Sequence, residues 1–598
     1  MDPLSPAGPS SSSSGQIVKG TRKGTRSCVE CRHRKIRIVS TESYDEEVGK
    51  LYHQVPSLRP ILNNPREWLT AVASYATPWM SLYMSIFPYT SPIDTKEELI
   101  SQHDEMQSPT AHPVTMAMFL CTFAITAQQV PPDQENTSPP LNWKDAPTYA
   151  RQVAQAVEAT IISHTGLAMT VEGIEMAILL LRLQLGLGAI RSLWLSLRRT
   201  VALAELIGLP RFWYSRRDDL IPATYTPGSS TSSSRDRITQ KIAIWTAICL
   251  TDRLSSMMFN LPAATSSHRF PRKDIMTPEG EVLVASHLFE LSSLALEVQA
   301  LDEACMMNES AEETYQNVLT IDCRLRTLKS QTPTSWWNDW PHKASSASLV
   351  QFWHFYLTAR IHLHAAMSPD EQDQFSYSRT ACEQACETLS RLYPGLRYGL
   401  PSGFFLCRII DMQIYTAVAF LLLTSMRGSN ATDPRKIAMA QTILETMDAV
   451  SNRTSHVEFI SGASSTIRSL IALARDGSSS SQSLTLRIPL LGKVRIGRKK
   501  TSGSGATANQ PQDHEAAMPQ MQQAQAAEQS YSNQGAPSAT RTAEVNQQHY
   551  DMSNSNTLPW LMELDMNSQS LQYPFLADDI THFDQWLSTD SGMALNSI

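Results

Sequence analysis

The residues best suited to do chemistry are Cys28 and Cys31, in Cys28-Val-Glu-Cys31. Two thiolates at C-x₂-C spacing can hold one metal ion from two sides. A basic run follows at once (Arg32, His33, Arg34, Lys35 and Arg37), and Lys19, Arg22, Lys23 and Arg26 lie just upstream. Cations at that density suit a phosphate backbone. Other candidates are weaker. Cys382 and Cys386, at i and i+4, share a helix face and could bind a metal, but the spacing fits two buried thiols equally well. His362 and His364 are two apart and face different sides of a helix, a poor metal pair. Gly186-x-Gly188 lacks the third glycine of a dinucleotide loop, since Arg191 stands there. H-E-x-x-H, G-x-x-x-x-G-K-[ST] and G-x-S-x-G are all missing. The expectation is a protein that is not an enzyme.

The stretch from Cys28 to Arg37 resembles the first half of the fungal binuclear zinc-cluster DNA-binding domain. Six cysteines in that family follow C-x₂-C-x₆-C, a loop, then C-x₂-C-x₆₋₈-C. The resemblance implies zinc as cofactor with Cys28 and Cys31 as ligands. It places Arg34 and Lys35 where the family reads a CGG triplet, and Arg32 and Arg37 on phosphates. Arg or Lys donating to guanine O6 and N7 is the most common specific base contact, whereas phosphate contacts give register without sequence information. The pattern stops at Ile38, where the third cysteine belongs, and the next cysteine is Cys121. Zinc supplies most of the folding energy of a domain too small to have a core, and two thiolates cannot do that. Three explanations stay open: a skipped exon carrying four cysteines, an isoform that has lost the cluster, and chance. As written, the segment offers salt-sensitive, weakly specific DNA binding.

Charge is distributed in a way that agrees with a DNA-facing head. The formal net charge of −7 hides a strong polarity. Residues 1–37 hold eight Lys/Arg against Asp2 and Glu30, whereas residues 501–598 hold Arg541 against eleven Asp/Glu. A basic head and an acidic tail predict a nucleic-acid end and a protein-partner end. The nine cysteines are thinly scattered, and residues 1–15 lack the parts of a secretory signal. Reduced thiols in a cytosolic or nuclear protein are therefore expected. Apolar runs such as 114–127 and 417–423 fall short of the ~20 residues that span a bilayer, so no membrane partner is expected.

The elements that must position these groups read as mostly α. Residues 1–27 are a disordered basic arm, 28–38 the partial cluster motif and 39–67 a linker. From 68 to 474, apolar residues recur at helical spacing, which predicts one large all-helical regulatory region. Within it, the stretch Ile190 to Pro210 reads as an amphipathic helix with a stop at Gly208 and Pro210 just beyond. A second helix carries Trp245, Asp252 and Arg253 and leads into Asn260-Leu-Pro262. Both resemble the middle region of the same fungal regulators, with "A-x-x-L-G-L" and "W-x₆-D-R" followed by "G-x-P". Ile207 and Asn260 depart from that pattern. The stretches His354 to His364 and Ser376 to Cys382 resemble further helices of that region. Sustained heptads are missing, so nothing supports dimerisation.

Residues 475–557 are expected as a disordered linker. Within it, Lys493, Arg495, Arg498, Lys499 and Lys500 form either a nuclear-import patch or a solvated charge run. Residues 558–598 interleave acids with Trp560, Leu564, Phe575, Phe583 and Trp586. Such a segment is suited to activation through coactivators, or else to docking as a C-terminal helix on the body. The combined expectation is a nuclear, sequence-specific DNA-binding transcription regulator, an activator of a pathway gene cluster of secondary metabolism. The competing reading is a helical interaction or effector-sensing regulator, which would take a small molecule in a helical pocket.

Overall fold

Helical periodicity from residue 68 onward becomes a succession of long helices in the computed structural model. It describes residues 58–476 apart from 63–65, 89–92, 132–145, 215–232, 271–273, 308–309, 339–344, 369–373, 428–432 and 452–456, and the backbone of 484–488, 492–497 and 561–564. The longer helices are α1 (Ala76–Ile86), α2 (Lys96–Met106), α3 (Pro113–Ala127), α4 (Ala146–Val157), α5 (Val171–Leu187), α6 (Ile190–Leu206) and α7 (Ser233–Phe259). There follow α8 (Val284–Met306), α9 (Ala311–Ser330), α10 (Ser346–Met367), α11 (Ser376–Gly399), α12 (Cys407–Arg427), α13 (Pro434–Ser451) and α14 (Val457–Asp476). Buried apolar side chains from Leu58 to Ala474 belong to one contiguous cluster. The helices therefore share a single core.

Local sequence explains where helices begin and end. Pro113 opens α3, and His112 Nδ1 accepts from the Val114 N–H. Thr170 caps α5 by accepting from the Gly173 N–H, and Gly188 ends it in the left-handed region at φ 72°. Gly173 cannot carry a Cβ, which would lie 2.2 Å from the Leu167 carbonyl oxygen. The helix expected from Ile190 stops at Leu206, and Gly208 turns the chain at φ 81°. Pro210 then sits in the first turn of a short helix, Leu209–Tyr214, where its missing N–H costs nothing.

The Trp245-x₆-Asp252-Arg253 pattern has a structural use on α7. Trp245 is fully buried, with its ring edge-on to His268. Asp252 Oδ2 accepts from the Thr265 N–H at 2.8 Å and its hydroxyl at 2.7 Å. Arg253 donates to the His268 carbonyl and to Ser293 Oγ, and lies over the rings of Phe270 and Phe289. The pattern thus fastens residues 262–270 and α8 to α7. Asn260 adopts φ 49°, the only positive φ outside glycine among the described residues. That conformation penalises most L side chains, tolerates Asn and suits Gly, which accounts for an asparagine where the resemblance has glycine.

Two helices are longer and more apolar than counting contiguous apolar runs suggested. Arg237–Phe259 and Cys407–Met426 have the length and composition to cross a membrane, yet 78% and 89% of their apolar windows are buried inside the body. A helix that is apolar all round belongs in a protein core as readily as in a bilayer. Helix α12 occupies such a place, packed on α11, α13 and α14. Near its start, Asp411 is buried with Arg397 of α11 at 3.0 Å and accepts the Tyr393 hydroxyl at 2.7 Å.

The expected linker after residue 475 also contains strands. β1 (Leu484–Ile488) pairs antiparallel with β2 (Gly492–Gly497), which pairs antiparallel with β3 (Leu561–Leu564) in the order β1-β2-β3. Leu484, Leu486 and Ile488 alternate with polar residues, as do Val494 and Ile496. That period of two is a strand signal.

Candidate functional site

Many of the site residues expected from sequence lie outside the described residues. These are Cys28, Cys31, Arg32, Arg34, Lys35, Arg37, Arg498, Lys499, Lys500, Trp560, Phe575, Phe583 and Trp586. Lys493 and Arg495 stand on β2 and Leu564 on β3. The backbone register pairs Arg495 with Glu563 and Val494 with Leu564, so part of the basic patch and part of the acidic segment share one sheet.

The described residues instead place a cluster of polar and aromatic groups in a cleft of about 730 Å³. It is bounded by α9, the short helix Thr334–Asn338, α10 and α11. Ser345 caps α10 in a capping box with Ser348. Gln351 of α10 donates to the Trp336 carbonyl, and Trp337 Nε1 donates to Thr332 Oγ1 at 2.7 Å. Those two bonds hold the short helix against α9 and α10.

Asp322 joins three helices at the back of the cleft. Its carboxylate accepts the Tyr377 hydroxyl of α11 at 2.6 Å, and it pairs with Arg326 of α9 at 2.9 Å and with His362 Nε2 of α10 at 3.4 Å. Burial alone would raise its pKa, but hydrogen bonds from His362 and Tyr377 and the charge of Arg326 hold it below the usual carboxylate range. Tyr377 is pushed up to about 12, by burial and then by Asp322. Lys329 Nζ lies 4.8 Å from the Trp337 ring centroid and 5.1 Å from that of Phe355, and burial lowers its pKa. Burial also drives His354 well below its ordinary value, with further lowering by His287 and Lys329. His354 is therefore neutral at physiological pH, and its Nδ1 has no hydrogen-bond partner in the structure. The site thus carries a cation beside aromatic faces.

Sequence reasoning passed over this cleft. It did single out 354–364 and 376–382, and both helices it drew there, α10 and α11, line the cleft. His362 and His364 do point to different partners, Asp322 and Asp302. Cys382 and Cys386 are both buried, and Cys382 Sγ contacts the Ala359 carbonyl at 3.5 Å. The remaining signal was the pair Trp336-Trp337 next to a polar break.

No family model matches the chain. Curated relatives do. The chain is 24% identical over 451 residues to "Transcription factor sdnS" of Sordaria araneosa, covering 70% of this chain and 56% of that protein. It is 23% identical over 477 residues to "Dehydrocurvularin biosynthesis regulator" of Aspergillus terreus, covering 73% and 61%. A third, "Probable transcription factor gsfR1" of Penicillium aethiopicum, is 24% identical over 463 residues, covering 69% and 62%. This chain is a relative of fungal transcription factors. Its matches span 56%, 61% and 62% of these regulators' own lengths. The relatives are regulators of transcription or biosynthesis by name, and none of the three is named as an enzyme.

Zinc chemistry can be tested on the thiols of this relative of fungal regulators. Cys121, Cys249, Cys382, Cys386 and Cys407 are buried in the helical body. Burial pushes the Cys407 thiol up to about 11 and raises Cys121, Cys249 and Cys382 as well. Metal-binding thiols must be deprotonated, and burial disfavours that for Cys121, Cys249, Cys382 and Cys407. Among the described residues no group of three or more His, Cys, Asp or Glu side chains could hold a metal ion. Cys305 is half-buried and Cys323 exposed, and with Cys28 and Cys31 they make four thiols, two short of a six-cysteine binuclear site.

Proposed function

We propose that this protein is a nuclear transcription regulator of a biosynthetic pathway, acting as an activator. Similarity over about 70% of the chain to fungal transcription factors carries the reading. The basic run Arg32 to Arg37 supplies phosphate contacts to DNA. Reading of a CGG site by Arg34 and Lys35 belongs to a form of the protein with a complete cluster, in which Cys28 and Cys31 would be zinc ligands. Lys493, Arg495, Arg498, Lys499 and Lys500 serve nuclear import. Trp560, Leu564, Phe575, Phe583 and Trp586 engage coactivators as apolar anchors spaced by acids.

Titrating salt against binding to CGG-containing and scrambled duplexes tests the DNA-binding part. For the chain as written, affinity should fall steeply with salt and be equal on both duplexes. Absence of binding to either duplex at low salt would remove DNA from the function and leave the second reading. That reading is a helical effector-sensing regulator, and the cleft between α9, α10 and α11 favours it.

A further inference from the structure

We propose that the cleft between α9, the 334–338 helix, α10 and α11 is a binding site for a planar aromatic acid. Its use in regulation rests on the function proposed above; the binding does not.

Size sets the first limit. About 730 Å³ lies within the usual ~300–1,000 Å³ of small-molecule sites. That is far too much space for a lone ion and enough for a fused-ring molecule. Trp337, Phe355 and Tyr377 contribute aromatic walls, which favour a flat apolar body over a compact hydrated one.

Charge sets the second limit. Lys329, Arg326 and Arg391 line the cleft, and Asp322 is the only carboxylate among its described lining residues. Asp322 is already engaged by Arg326, Tyr377 and His362. Lys329 faces ring π-clouds and Arg391 a neutral hydroxyl, Thr388 Oγ1 at 3.1 Å. Neither has a carboxylate within ion-pairing distance among the described residues. Two cations thus lack a counter-charge beside aromatic walls. Burial disfavours the charged form of Lys329, and a carboxylate beside it would relieve that penalty. Gln384 and Thr388 offer neutral hydrogen-bonding groups for a second polar substituent. A cationic or neutral ligand would leave Lys329 unbalanced. A small hydrated anion would leave the aromatic walls unfilled.

The test uses the full chain and three probes: 2-naphthoate, uncharged 2-naphthamide and inorganic phosphate. Calorimetry reads affinity, and the Lys329 and Arg391 variants below locate the binding. Naphthoate should bind at least ten-fold more tightly than the amide, the gain expected of one partly desolvated charge-assisted contact. Phosphate should show no measurable binding. Lys329→Met should weaken naphthoate by at least ten-fold and leave the amide within two-fold. Arg391→Gln changes an exposed side chain and keeps the test decisive if Lys329→Met does not fold; it should weaken naphthoate about three-fold. Equal affinity for acid and amide, binding of phosphate as tight as naphthoate, or naphthoate binding untouched in every folded variant would overturn the proposal. Failure of naphthoate to bind at all would do the same, without bearing on DNA binding or transcription.

Discussion

Replacing Asp252 by alanine probes whether the Trp-Asp-Arg pattern is a structural fastener. Asp252 is fully buried, and its Oδ2 accepts both the N–H and the hydroxyl of Thr265. Removing the carboxylate leaves two buried donors without an acceptor, each at a cost of about 1–3 kcal/mol. The expected loss is therefore roughly 2–6 kcal/mol, a large share of the ~5–15 kcal/mol that a domain possesses. Asp252→Asn keeps one acceptor oxygen and should lose about half as much. Thr265→Val removes the hydroxyl donor alone and should cost about 1 kcal/mol, less than additively with Asp252→Ala. Urea unfolding followed by far-ultraviolet circular dichroism measures the wild type, the three single variants and the Asp252→Ala/Thr265→Val double variant. A loss below about 0.5 kcal/mol, the size of an ordinary surface substitution, would refute the fastener and recast the pattern as an interaction surface.

Other expectations follow from the same geometry. Asn260→Gly should leave stability unchanged or slightly raised, whereas Asn260→Val should cost about 1–2 kcal/mol because φ 49° is strained for a β-branched residue; thermal melts compare the two. Burial raises Glu175 to about 7. The folded protein therefore keeps a proton that the unfolded chain releases above its ordinary carboxylate pKa, so this group's stabilising effect falls as pH rises from about 4.5 to about 7 and then levels off. Glu175→Gln should flatten that decline in denaturation midpoints taken across the interval. Purified, dialysed protein should retain far fewer than two zinc ions per chain by elemental analysis, because, of the cysteines other than Cys28 and Cys31, only Cys305 and Cys323 are not buried. Two tightly held zinc ions would contradict that reasoning.

Helix bounds proved legible where single residues decide them. Gly208 ends the turn after α6 with a positive φ, and Trp245, Asp252 and Arg253 share α7. Such features need only a few neighbours in sequence. The cleft was not legible, because Asp322, Lys329, Trp337, Phe355 and Tyr377 come from four separate helices. Their meeting depends on how α9, α10 and α11 pack, which periodicity alone does not specify. The long core helices were understated for a different reason. Arg253 and Arg408 interrupt their apolar runs, yet both are buried, so contiguous apolar length undercounts such helices. Strands β1 and β2 were passed over because composition was weighed ahead of their two-residue alternation.

Deleting the gene and sequencing total RNA tests the regulatory reading most directly. Transcripts of one co-located group of biosynthetic genes should fall at least ten-fold while most other transcripts hold steady. Return of the gene as written, without additional cysteine codons between Arg37 and Ile38, should restore them if this form acts on its own. Unchanged transcripts of every biosynthetic group after deletion would contradict the assignment as a pathway regulator.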